Sequence, residues 1–514
     1  MRRIRPVLAL CLCALLALSG CGEPEPLPSP TAAPEPTPTQ TPPPPARFSL
    51  GYDPAASLHP ITGESAVNQE LTGLVYQGLY ELDNTFTPQP VLAQSAAVSE
   101  DGLTWTFTLK PGAVFSDGTP LTAYHAADGL NAARAAPLYA QRLAGLTGAA
   151  AADDGALAVT LSAPNGNLPA LLDIPVALER EEGLAPLGSG YYYYEAAGES
   201  LLLRANPHNP AASALPYDAI PLTPASDAAG RIAAFDSGAV SAVTTDFTSP
   251  YALGYSSSYE TTDFPTTSLI YVGFRTAGGM CQSPLVRRAF SRALNRAEMV
   301  RLDLSGHGDA AALPVSPLSG EYSRTAADGL SYDLDAASAL LEEAGWKKGE
   351  DGLLHHGKAP AEITLLVNSD NDVRQAIAGR FAQALKELGV TVNIQRLPWS
   401  GYTAALAVGQ FDLYLGEVRL TGDFDPAALL SGPLNYGGFY GEELSALLSA
   451  WRAARGEART RAAEALWAQF AQDAPFAPLC FKRGSLLLRW GMASGLNPTR
   501  ANPYYKMEQW TTAG

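Results

Sequence analysis

Histidine is scarce in this chain, six in 514 residues, and two of the six, His355 and His356, are adjacent. Adjacent imidazoles could begin a metal site. Here they sit on a Gly-flanked turn with no obvious carboxylate partner, which reads as a pair of solvent-exposed side chains. Gly306-His307-Gly308-Asp309-Ala310-Ala311 matches the GxGxxA form of the dinucleotide fingerprint. That motif needs a strand before it and a helix after it, whereas Pro314 and Pro317 follow closely, so a loop is expected. The patterns HExxH, GxSxG and the phosphate-cradling P-loop do not occur. Asp and Glu are too common to single out an acid pair for glycoside cleavage. Of five cysteines, only Cys281 and Cys480 lie in the body, with no CxxC and no zinc spacing. A disulfide between them and two free thiols are both open. No motif for nucleophilic, metal or phosphate chemistry stands out, and no cofactor is implied.

Length and charge bound the reading further. The length exceeds what one hydrophobic core supports, so two or three packed units are expected. Acids outnumber bases 51 to 34, for a formal charge of −17. Such a body repels nucleic-acid phosphates and anionic headgroups.

The N-terminus reads as an export signal over residues 1–20. Arg2, Arg3 and Arg5 supply the charge, and Val7 to Leu18 an apolar core too short to span a bilayer. Leu18-Ser19-Gly20-Cys21 resembles the bacterial lipobox, which implies a diacylglycerol on Cys21. Eleven prolines between Glu23 and Ala46 preclude helix or sheet ladders. Residues 21–47 are therefore expected to form the lipidated Cys21 and an extended stalk of up to about 70 Å.

From Phe48 onward the pattern is mixed α/β. Leu71 to Leu82 carries helix-spaced apolar residues, and Leu103 to Leu109 alternates as a half-buried strand. Thr122 reads as the N-cap of a helix from Ala123 to Arg134, and Asp333 as the cap of another. Ile363–Val367, the face Ile377, Phe381, Leu385 and Leu388, the stop at Gly389, and alternating Val390, Val392 and Ile394 compose a βαβ unit. Phe411 to Leu415 is a further strand.

Several runs then resemble one family. They are Leu79-Tyr80-Glu81-Leu82-Asp83, Pro90-Val91-Leu92-Ala93, Val98 through Phe107 (VSEDGLTWTF) and Phe115 through Ala123 (FSDGTPLTA). Val286-Arg287-Arg288-Ala289-Phe290 with Ala293-Leu294-Asn295-Arg296, and Tyr332-Asp333 through Gly345, keep its order. These resemble the ABC-importer extracellular solute-binding proteins of family 5, the oligopeptide, dipeptide and nickel class.

The resemblance implies an α/β two-lobed clamp of the periplasmic-binding-protein type II, with an extra subdomain in the first lobe. Residues 48–78, 188–266 and 482–514 would form lobe I, 79–187 the inserted subdomain, and 267–481 lobe II. Strands near Thr267–Phe274 and Ala477–Leu487 would form the hinge. The implied partners are a short peptide or similar solute, ABC permease subunits with their ATPase, and the membrane through the anchor. The chain would be a monomer on the extracytoplasmic face. A lipid-anchored surface hydrolase, and a binder of nickel or haem chelates or another non-peptide solute, are the alternatives.

The resemblance also implies site residues. Asp423 stands where peptide-binding members hold the ligand's α-ammonium group, or else it is a loop acid. Glu417 and Arg419 stand where the family has a tryptophan. Glu64 lies in a loop that faces ligand in relatives. Tyr271, Val272, Gly273 and Phe274 are either a strand edge for a ligand backbone or a hinge strand only. Arg275 is placed for a ligand carboxylate or a surface acid. Trp399 and Tyr436 would wall the pocket or pack in the core.

Overall fold

The computed structural model describes residues 47–512 apart from Glu182 and Glu199. The signal, Cys21 and nearly all of the stalk lie outside the described residues.

Alternating and β-branched sequence drives one eleven-stranded sheet. At its centre run two long antiparallel strands, Tyr259–Phe274 and Phe476–Arg489, here called the crossing strands. On one side lie Leu413–Arg419, Glu362–Asn368 and Thr391–Leu397; on the other lie Ala242–Thr245, Leu50–Tyr52, Ala219–Pro224, Ser200–Ala205 and Tyr192–Ala197. The first group is the sheet of lobe II and the second that of lobe I.

The ladder between the crossing strands shifts register twice, in a wide break between Pro265 and Leu269 and in a smaller slip between Ile270 and Tyr271. Tyr259–Pro265 pairs with Arg489–Arg483, Leu269–Gly273 pairs with Phe481–Phe476, and the register slips between. Pro265 has no N–H to offer at the break. Side chains take over there: Thr266 Oγ1 donates to the Lys482 carbonyl and Thr267 Oγ1 to the Leu420 carbonyl, both at 2.7 Å. The crossover is therefore joined by rotatable hydroxyls rather than by a regular ladder. The first crossing strand begins at Tyr259, eight residues before the start expected from sequence.

Lobe II contains the expected βαβ unit. Glu362–Asn368 runs parallel to Thr391–Leu397, and the helix Asp372–Glu387 buries Ile377, Phe381 and Leu385 between. The Asn371 side chain caps that helix by accepting from Arg374 N at 2.9 Å. Gly389 stops it at φ +88°, a conformation glycine adopts without strain.

The inserted segment folds as a four-stranded sheet, ordered Ala93–Val98, Thr104–Leu109, Ala156–Leu161, Leu146–Ala151. It is backed by the helix Ala123–Ala135. The strand expected over Leu103–Leu109 buries Trp105, Phe107 and Leu109 in alternation. The helix expected across Leu71–Leu82 is corrected. Helix ends at Val75, and Tyr80–Leu82 is a strand paired with Pro88–Pro90. Gly78 lies against the Ile174 and Leu172 carbonyls, and a Cβ there would come within 2.9 Å. That close approach fixes an extended path which apolar spacing does not report.

Candidate functional site

Strand direction locates the site. Leu413–Arg419 pairs antiparallel with the first crossing strand, so Arg419 lies opposite Ser268 beside the crossover. Glu362–Asn368 is parallel to it and ends on the same side. In lobe I, Thr245 pairs with Ser485, so Ala242–Thr245 also ends near the crossover. Both lobes thus present the carboxyl ends of strands to one gap, the usual ligand position in α/β sheets.

Charged groups gather where the lobes join. Lys482, only 5% exposed, lies at the break. Its Nζ is 2.5 Å from Asp246 just past the lobe I strand and 3.2 Å from Glu417 on the lobe II strand. The other oxygen of Glu417 is 2.5 Å from Arg374. Arg374 Nε is buried with no partner among the described residues. The exposed Trp399 ring stacks on Tyr402 at 5.7 Å, and the Trp399 backbone N–H donates to the Asp370 carboxylate at 2.9 Å.

A second seam joins lobe II to the inserted subdomain. Buried Asp423 accepts from Asn165 Nδ2 at 3.1 Å and from Thr421 Oγ1 at 2.5 Å. Gly166 N donates to the Arg452 carbonyl at 2.6 Å, and Arg452 forks onto Asp425 at 2.7 and 2.8 Å. Burial raises the Asp425 carboxyl above its ordinary range, with the neighbouring Asp423 adding to the rise. Phe86 meets Phe424 edge-on at 4.7 Å.

A model of the bacterial extracellular solute-binding proteins, family 5 (middle region) matches residues 87–440, more than half of the chain. The chain belongs to this family. It is 28% identical to "Protein XP55" of Streptomyces lividans over 68% of this chain and 66% of that protein. It is 27% identical to the oligopeptide-binding protein AppA of Bacillus subtilis over 64% of this chain and 65% of that one. The chain thus spans just under two thirds of the length of these curated relatives. The solved structure of MppA, a periplasmic murein tripeptide binding protein in its unliganded open form, superposes with a TM-score of 0.74. That match is 19% identical and covers 91% of this chain and 97% of MppA. The fold is the two-lobed type II clamp of periplasmic binding proteins.

Within this family 5 clamp, Glu417, Arg419, Trp399 and Asp423 all lie on lobe II, past or at the carboxyl ends of its strands. Glu64 is exposed in the loop after His59 and Pro60. Tyr436 is half-buried, edge-on to Tyr414 at 6.1 Å. Two expectations need correction. Tyr271–Phe274 has Leu413–Gly416 on one edge, and the second crossing strand pairs with Tyr271–Gly273 on the other. Tyr271, Val272 and Phe274 are buried. With both edges taken, the segment cannot add a ligand strand. Arg275 follows the far end of that strand, seven residues beyond Ser268 and about 20 Å from the gap at strand rise.

The remaining motifs are structural. Gly308–Ala310 is a short strand on the second crossing strand, and His307 pairs with Asp263 at 2.9 Å. His355 pairs with Asp351 at 3.0 Å on a hairpin. Cys281 and Cys480 are free thiols in the apolar core of lobe II, and burial pushes both well above the ordinary thiol range. A thiol so held is a poor nucleophile.

Sequence reasoning did not single out Asn165, Asp246, Arg374 or Lys482. For Lys482 a signal existed: with Arg483 it forms a pair of cations inside the otherwise apolar run Pro478 to Leu488, which only Ser485 also breaks. A lysine is rarely buried unless paired.

Proposed function

We propose that this protein is a lipid-anchored receptor, tethered at Cys21 on the extracytoplasmic face of the cell membrane. It captures a short peptide between its lobes as a monomer and delivers it to an ABC importer. The observation that carries the reading is the broken ladder at the crossover, with strand ends of both lobes facing one gap. A clamp of this kind closes when ligand contacts favour the closed state over the open one. Oligopeptide binding by AppA and murein tripeptide binding by MppA support the choice of ligand. The chemistry is binding without turnover.

In this reading the peptide's α-ammonium group displaces Asn165 Nδ2 from Asp423, a charge-assisted bond replacing a neutral one. Pooled di- to pentapeptides should raise Tm by mass action and reduce the radius of gyration in solution scattering. Asp423→Asn should weaken peptides with a free amine by about 10-fold or more and N-acetylated peptides much less. Equal losses for both would reject the ammonium assignment. A pool that neither raises Tm nor closes the clamp would reject the peptide reading.

A further inference from the structure

The chain contains one Asn-Gly pair, Asn165-Gly166, and the fold sets it on the seam between the inserted subdomain and lobe II. It lies in the connection from the strand Ala156–Leu161 to the helical turn Leu168–Leu171. Facing it is the carboxyl end of the lobe II helix Glu442–Ala453. Gly166 N donates to the Arg452 carbonyl at 2.6 Å, one of the acceptors that a helix leaves open at its end. A Cβ on Gly166 would run into the Ala454 carbonyl, so this approach admits glycine alone. The Asn165 amide is held at both of its ends. Its Oδ1 accepts from Asn167 N at 2.9 Å, and its Nδ2 donates to the buried Asp423 carboxylate at 3.1 Å.

Asparagine before glycine is chemically labile. The following peptide nitrogen can attack the side-chain carbonyl carbon once it gives up its proton, and glycine has no side chain to obstruct the attack. In the seam that N–H is committed to Arg452, and the amide to Asn167 and Asp423. Ring closure therefore waits for the seam to open. The packing against Ala454 demands the same glycine that makes the asparagine reactive.

We infer that Asn165 is a deamidation site which the formed seam protects and the open seam exposes; the hinge motion of the clamp reading supplies the opening. Gly166 N bonds to Asn165 Cγ, the Cγ–Nδ2 bond breaks, and ammonia leaves with the proton that the backbone nitrogen lost. Water then opens the succinimide at either carbonyl, leaving aspartate or isoaspartate at 165. No oxidant or reductant takes part. The product sets a carboxylate against Asp423 where a donor stood, and the nearby Arg452 is already engaged by Asp425. The two anions repel, so a modified receptor re-forms its seam less readily.

The test incubates the mature protein in mildly alkaline buffer and follows residue 165 by peptide mass mapping and isoaspartate labelling. The native protein should deamidate there at least about 10-fold more slowly than the same chain in urea, where no seam exists. Asp423→Ala, which frees Nδ2, should speed the native reaction about threefold or more. Asn165→Asp, which supplies the product's charge directly, should enlarge the radius of gyration in solution scattering, whereas Asn165→Gln, which keeps the amide, should not. Equal rates in native protein and in urea would overturn the inference, as would Asp423→Ala reacting no faster than wild type or Asn165→Asp leaving the scattering unchanged. Pooled tripeptides should slow the wild-type reaction by holding the seam formed. Tripeptides that leave the rate unchanged while the other comparisons hold would overturn the peptide reading and leave the deamidation site standing.

Discussion

Lys482 Nζ is 2.5 Å from the Asp246 carboxylate, and this contact ties lobe I to the crossover. The same ammonium is 3.2 Å from Glu417 of lobe II, so one buried cation answers an acid from each side. Burying a lysine is costly unless its charge is met, and here two partners meet it.

Replacing Lys482 with Met should therefore do more than remove one bond. It leaves Asp246 and Glu417 facing each other with only Arg374 to compensate. The side chains are partly open to water, at 38% and 19%, so the loss should fall below that of a fully buried pair. A loss of about 2 kcal/mol in urea unfolding is expected, with a shift toward the open form in solution scattering. A change under about 0.5 kcal/mol would mean that water screens the trio.

Local patterns were legible in the sequence wherever one element fixes its own conformation. The alternation of Thr104–Leu109 and the capped helix Asp372–Glu387 emerged as read, because burial and capping are local signals. Long-range placement was not legible. Arg275 and Arg419 both adjoin the same strand pair, and only the antiparallel register shows which of them faces the gap. The polar opening Glu260-Thr261-Thr262-Asp263 hid the first half of the crossing strand, since its partners come from more than 200 residues away.

Glu81 gives a pH prediction. It lines a cavity of about 100 Å³ between lobe I and the inserted subdomain, together with Tyr76, Asp173, Tyr191 and Asn502. Burial raises its carboxyl from 4.5 to about 7, against the pull of Lys506 and with the push of Glu508. The folded state thus holds this proton more tightly than the unfolded chain does. The resulting stability is fully present below about pH 4.5, falls as pH rises toward 7, and is gone above it. Unfolding free energy should therefore drop by at most about 3 kcal/mol across that window from this group alone. Glu81→Gln should flatten this part of the profile and raise stability above pH 7. An unchanged profile in the variant would show that Glu81 ionises freely in the fold.

Gly273 separates packing from binding. It pairs across the strands with Tyr414, and Tyr271 pairs with Gly416, so each glycine faces a tyrosine ring. A Cβ on Gly416 would approach Tyr271 Cζ within 2.6 Å, and one on Gly273 would run into the Tyr414 ring. The two rings meet edge to face at 5.7 Å with their hydroxyls 3.3 Å apart, both buried. Each glycine leaves the space that the tyrosine ring opposite occupies, as cross-strand aromatics do over glycines. Gly273→Ala should therefore cost about 2 to 3 kcal/mol by overpacking, seen as a lower urea midpoint. Adding Tyr414→Leu should recover part of that loss, because the second change removes the ring the methyl group strikes. Peptide affinity of the folded single variant should stay within about twofold of wild type, since the residue has no path to the gap. An affinity loss without a stability loss would instead return Gly273 to the ligand's surroundings.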